Sequence, residues 1–392
     1  MTVRAIENRF IPSFIFSSAV LAVFSPYLPI LLRCLGYTPL WVGILFGILE
    51  GAGIAGPLLF GYWADKTGNY RPVLIISCLL PALVAFPLIV WVNPAVSIIL
   101  LIFFAMGVRS AVSLLDAITT IQIGKTGNYG RIRVWGSISF ILFTLYLQWT
   151  PVLKPDNAGN ISLWLIIAAV MSVMPIMLLP RDLLKSSARP DAEEMSEGIS
   201  SPLMLMHILG GCAVIFLGRL SMTAIYTYLP LYLTEALRWN AVGLMFALAA
   251  ASEVPFMFLS GALIRRFGSL PLLVLSAAGV CLRLLILAFL PFKPCIIVSQ
   301  LLHSLCFGIF HPAAVHFFVG IFPVKKRGTG MSVYLILGSG LPALVSNITG
   351  GIVVQAVGYQ SLFALYAAIA GAAVLIGIIV QISRRRGVLH PS

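Results

Sequence analysis

Apolar runs of bilayer-spanning length follow one another along almost the whole chain. Crossing the hydrocarbon takes about 20 apolar residues as a helix, because in lipid the backbone must bond to itself. Twelve runs fit, over residues 10–32, 40–62, 72–93, 96–121, 131–150, 161–180, 204–233, 241–263, 270–291, 294–320, 329–353 and 359–383. Only 9% of the 392 residues are charged and 60% are apolar; a soluble chain carries about a quarter charged residues. The predicted fold class is therefore an all-α integral membrane protein of twelve transmembrane helices, solvated by lipid. The first run is too long for a signal-peptide core and lacks a small-residue cleavage site after it, so it reads as a retained helix.

The net charge of +13 is a topology signal. With these spans, 18 of the 25 Lys and Arg fall on the side of both termini, among them Arg4, Arg9, Lys66, Arg71, Lys125, Arg189, Lys325, Lys326, Arg327 and Arg384–Arg386. Only Arg33, Lys154, Arg238 and Lys293 fall opposite. That asymmetry places both termini in the cytoplasm, and the basicity calls for no nucleic-acid partner.

Residues 181–202, "RDLLKSSARPDAEEMSEGISSP", break the apolar pattern and hold five of the twelve acids. They read as a cytoplasmic linker between an N-terminal six-helix bundle, 1–180, and a C-terminal one, 203–392. The halves repeat at a nearly fixed offset. Tyr27–Pro29 recurs as Tyr228–Pro230, Val42–Gly43 as Val242–Gly243, and Gly61 and Gly68 as Gly261 and Gly268. Pseudo-symmetric bundles of six helices are one of the architectures of secondary transporters.

In "GYWADKTGNYR", Gly61 to Arg71, Gly61 would let helices approach closely and Gly68 would take a turn with positive φ. Asp65 would pair with an arginine or cap a helix. This loop resembles the G-x-x-x-D-(R/K)-x-G-(R/K) motif of the major facilitator superfamily, with Asn69 at the last basic position and Arg71 two residues on. The resemblance, which covers nearly the whole chain, implies a gating role for Gly61, Asp65, Gly68 and Arg71. In the second half the loop is "GALIRRFG", with Arg265 where the acid was. "YGRIRVWGSISF" at Tyr129–Phe140, "LLDA" at Leu114–Ala117 and "LLHSLCFGIFH" at Leu301–His311 are similar to the branch holding lactose permease, nucleoside–proton symporters and phenylpropionate permeases.

Charges inside the spans are costly, about 2.5–3.5 kcal/mol each at the bilayer centre, and so mark cavities or partners. Away from the loops these are Glu50, Asp116 and Glu253 against Arg109, Arg219 and Arg283, three against three. Arg109 and Asp116 share a helix face but stand about 10 Å apart, too far for a tight pair, so each should meet another helix or water. Asp116 can reach toward Arg133. By resemblance to lactose permease, Asp116 and Arg133 would hold substrate. Arg133 also sits where a basic residue is expected at a cytoplasmic helix end.

Arg283 and His303, 20 residues apart, match the arginine and histidine of the lactose permease coupling network. The carboxylate that network needs three residues later is Cys306 here, and an ordinary thiol keeps its proton at neutral pH. Glu253, Asp116, Glu50, His303 and His311 are the remaining proton-carrying candidates. His303 and His311 lie about 80° apart on an α-helix, which argues against a shared metal. The aromatics of "YTYLPLY", 226–232, would line the cavity or an interfacial belt. The six cysteines are scattered through apolar runs and read as packing residues.

No Walker loop, G-x-S-x-G or catalytic cysteine–histidine context is present. The sequence therefore predicts no enzyme, no cofactor and no metal. It predicts a monomeric, multi-pass carrier of the cell (inner) membrane, which couples protons to a small organic solute by alternating access. An aromatic or other organic acid is the first expectation, as the resemblance to phenylpropionate permeases implies, with a sugar, a nucleoside or exported drugs as alternatives.

Overall fold

The computed structural model describes residues 2–124, 128–185, 202–322, 330 and 333–389. Most of the 181–202 linker, Arg189, Lys125 and Lys325–Arg327 lie outside them. The described residues form helices almost throughout, and contacts group the chain into two compact units. One comprises Met1–Pro190 with Pro230–Ala247, the other Asp191–Leu229 with Leu248–Ser392.

The first unit is built on α1 (Val3–Cys34), α2 (Pro39–Thr67), α3 (Tyr70–Val90), α4 (Pro94–Ile123), α5 (Tyr129–Trp149) and α6 (Ala158–Leu178). A polar side chain starts each helix after the first. Thr38, Asn69, Asn93, Asn128 and Asn157 accept N–H bonds from the first turns of α2 to α6, satisfying donors that lipid cannot. Helix α1 packs on α4, α5 and α6, while α4 also packs on α2 and α3. Phe10, Phe14, Leu74, Leu114, Ile118, Ile132 and Ile176 fill one core between them. Small residues bring helices together, as expected where lipid offers no hydrophobic drive. A Cβ at Gly56 would lie 2.6 Å from Met106 Cα on α4.

The second unit contains α7 (Pro202–Leu231) as far as Leu229, α8 (Val242–Phe267) from Leu248, α9 (Ser269–Phe289), α10 (Lys293–Leu301), α11 (Phe310–Ile321) and α12 (Leu341–Leu389). A π-turn, Ser304–Gly308, joins α10 to α11, and another, Ile336–Gly340, leads into α12. Helix α12 breaks at Gly358, where φ is +86°. Helix α9 packs on α12, α10 and α11.

Among the described residues nine helices are long and apolar enough to cross a membrane, or ten if α8, bent by 56°, counts as one span. Large apolar side chains such as Leu178 and Phe258 face outward at 79% and 71% exposure. That surface suits lipid and not water. The chain is a multi-pass membrane protein.

The loop glycines divide. Gly68 and Gly268 both take positive φ, +61° and +81°, at equivalent turns of the two repeats. Gly61 makes no close approach, contrary to expectation: a Cβ there would meet nothing within 4 Å. The tight contact lies further up α2 at Gly56, where α2 and α4 meet.

Candidate functional site

Each unit encloses its own cluster of charges. In the first, Arg109 of α4 reaches Glu50 of α2 at 2.6 Å. Gly53, one turn beyond Glu50, leaves room for the arginine stem, since a Cβ there would sit 3.0 Å from Arg109 Cγ. Seven residues along α4, Asp116 meets Arg133 of α5 at 3.1 Å and accepts the Tyr129 hydroxyl at 2.6 Å. The Arg133 guanidinium also lies over the Phe14 ring, 5.9 Å from its centre. One face of α4 thus serves two partners on two different helices.

This pairing corrects the three-against-three balance read from the sequence. Arg133 is not merely a helix-end base but the partner of Asp116. Four arginines therefore share three interior acids.

The second cluster centres on His303, which follows α10 and is buried. Its Nδ1 lies 2.7 Å from an Arg283 nitrogen of α9. A guanidinium only donates, so Nδ1 accepts and the ring proton sits on Nε2. Nε2 is 2.5 Å from the Glu253 carboxylate of α8 and 3.1 Å from the Tyr226 hydroxyl of α7. Arg283 also donates to Gln300 Oε1 at 2.6 Å. The Cys306 thiol, by contrast, is buried and donates to Leu302 O at 3.2 Å. The carboxylate missing after His303 is supplied from another helix, by Glu253.

The segment from His303 to His311 is not the regular α-helix on which the two would stand about 80° apart. The rings of His303, Phe307 and His311 stack in a column, with centroid spacings of 6.0 and 6.2 Å and planes within 11°. The intervening π-turn supplies the difference: it adds residues to one turn and so brings every fourth side chain nearly into line. Beyond the column, His311 Nδ1 bonds the Tyr334 hydroxyl at 2.6 Å. Among the described residues no group of His, Cys, Asp and Glu could hold a metal ion.

Arg219 of α7 stands apart. Its guanidinium carbon lies 6.0 Å from the Tyr226 ring centre, and its Nε is buried without a hydrogen-bond partner. No carboxylate lies within 4.0 Å of it among the described residues.

The loop between α2 and α3 is wired differently from expectation. Among the described residues Asp65 neither pairs with an arginine nor caps α3, but accepts the Tyr70 hydroxyl at 2.5 Å; Asn69 is the cap. Arg71 donates to Met177 O at 2.5 Å, which ties the start of α3 to the end of α6.

Sequence reasoning passed over three groups. Gln300, a polar residue in an apolar run three positions before His303, carried a legible signal. Glu7 precedes the first apolar run, yet it is buried, accepts the Asn128 N–H at 2.8 Å and pairs with Arg131 at 3.2 Å. Arg33 and Glu235, near-equivalent positions of the two repeats, bond at 2.5 Å beside a cavity of about 620 Å³ in the first unit.

The MFS_1 like family model matches residues 11–365. Maltose permease of Geobacillus stearothermophilus is 25% identical over 344 residues, 87% of this chain and 78% of that protein. The probable 3-phenylpropionic acid transporter of Escherichia coli (strain K12) is 25% identical over 349 residues, 86% of this chain and 88% of that one. Among solved structures, a point mutant of the nucleoside transporter NupG superposes with a TM-score of 0.78 at 15% identity, covering 96% of this chain and 99% of its own. The xylose transporter XylE from E. coli gives 0.65 at 13%, covering 96% and 98%.

Proposed function

The chain belongs to the MFS_1 like family of membrane transporters, and from that premise we propose that it is a proton-coupled symporter of a small organic acid. It works as a monomer in the cell (inner) membrane, by alternating access. Twelve crossings with both termini cytoplasmic fit the helices. To the spans already counted, this adds α5 and a division of α12 at Gly358. Unbroken, the 49 residues of α12 would run about 74 Å, more than twice the hydrocarbon thickness.

One observation carries the proposal: Glu253 holds His303 at 2.5 Å while Arg283 occupies the other ring nitrogen. Glu253 is the proton-binding carboxylate, and His303 and Arg283 position it and stabilise its charged form. Protonating Glu253 removes the one negative charge near Arg283, so the cluster then favours an anion. By linkage, a bound anion raises the proton affinity by the same factor. The loop from Gly61 to Arg71 gates the pathway through the bond of Arg71 to α6.

A second reading has its own observation. Asp116, Arg133 and Tyr129 gather a carboxylate, a guanidinium and a phenol, a set suited to sugar or nucleoside hydroxyls, and one relative is named a maltose permease. Uptake into proteoliposomes of labelled organic acids, sugars and nucleosides under an inward proton gradient separates the two. We expect acids to accumulate and Asp116→Asn to retain most of that accumulation. Gradient-driven uptake confined to sugars or nucleosides, and lost in Asp116→Asn, would instead favour the second reading.

A further inference from the structure

Among the described residues the interior charges of the second unit do not close. Past the linker the sequence holds only two acids, Glu235 and Glu253, and Glu235 belongs to the first unit, on Arg33. Among the described residues Glu253 is therefore the sole carboxylate of the second unit, which holds two interior arginines, Arg219 and Arg283. Geometry assigns it to the His303–Arg283 cluster. In the first unit, by contrast, Arg109 and Arg133 each have an acid.

Arg219 is thus left with the face of Tyr226 and a buried Nε that bonds to nothing. Arg219 is half-buried, and a buried N–H left unpaired is costly unless an acceptor such as an anion completes it. The groups around it narrow the anion further. Tyr226, His303 and Tyr334 all lie within electrostatic range of Arg219. Phe307 and His311 continue the column of parallel rings, and both keep some exposure. Rings stack on rings, so this wall favours a flat unsaturated group.

We infer that Arg219 is the carboxylate-binding residue of this carrier, and that its substrate is a small aromatic monocarboxylate whose ring lies against Tyr226, Phe307 and His311. The inference rests on the organic-acid reading above and names its substrate subsite. Arg219 contacts the substrate through its guanidinium fork, while Tyr226 links this subsite to His303 and thus to Glu253.

The test is counterflow exchange in proteoliposomes at equal pH on both faces, with benzoate, phenylacetate and cinnamate, each beside its primary amide. Losing a charge-assisted bond to a carboxylate weakens binding by about 10- to 100-fold. In the wild type an acid should exchange well and its amide poorly. In Arg219→Gln the half-saturation concentration for the acid should rise by that factor and the preference over the amide should vanish. Arg219→Lys, which keeps the charge and loses the fork, should fall between, and it decides the matter if the Gln variant does not fold. Wild-type half-saturation in Arg219→Gln, or in Arg219→Lys where that variant must decide, overturns the inference, as does a wild type that exchanges amide as readily as acid. If Glu253→Gln, assayed separately under an inward proton gradient, still abolishes accumulation of the acid, only the Arg219 assignment has failed. A wild type that moves none of the acids but accumulates sugars overturns this inference together with the organic-acid reading.

Discussion

Glu253→Gln replaces one oxygen by an amide nitrogen and removes the charge. The remaining oxygen can still accept the His303 Nε2–H, now 2.5 Å away. The bond changes from charge-assisted to neutral, a loss of about 1 kcal/mol, so the protein should fold with a slightly lowered Tm. The functional effect should be far larger. One proton per solute supports about tenfold accumulation for each pH unit across the membrane. With no titratable oxygen at 253, that ratio should fall to one. Exchange of solute at equal pH should persist, because the amide mimics the protonated carboxyl. Proteoliposomes with a pH step of two units make the contrast plain, about 100-fold accumulation in the wild type against simple equilibration in the variant. Accumulation in Glu253→Gln equal to wild type would refute the reasoning and move the proton to another group. The same charge arithmetic predicts electroneutral transport, since a proton and a monoanion together leave the interior charge unchanged. Clamping the membrane potential with potassium and valinomycin should then leave uptake unaltered, and a potential-dependent rate would count against it.

Two further outcomes follow from packing and pairing. Gly56→Ala should destabilise by about 1–3 kcal/mol, because its Cβ would press on Met106 backbone at 2.6 Å, whereas Gly61→Ala, with open space around it, should be neutral or stabilising by up to about 1 kcal/mol in thermal melts. Glu50→Gln alone leaves Arg109 without its acid and should lower Tm by several degrees, and Glu50→Gln/Arg109→Gln together should recover most of the loss; an additive double variant would show that the two do not act as a pair.

Much of the protein was legible in its residues. The apolar runs required a helical membrane protein, because no other open structure satisfies its backbone in lipid. The loop sequence foretold the positive-φ turn at Gly68, and Gly268, in register with it, takes one too. The resemblance to the lactose permease network implied that Arg283 and His303 act together, and the two do bond. What stayed hidden concerned neighbours. A sequence gives the face a side chain occupies on its own helix, but not which helix stands opposite or how it is rotated. So Arg109 could not be assigned to Glu50, nor the acid on His303 to Glu253, fifty residues earlier, in place of Cys306. The π-turn at Ser304–Gly308 likewise has no sequence period of its own, yet it decides that His303, Phe307 and His311 form one column. Composition determined how many charges the interior must accommodate. Only helix adjacency decided which of them are compensated, and that Arg219 meets no carboxylate among the described residues.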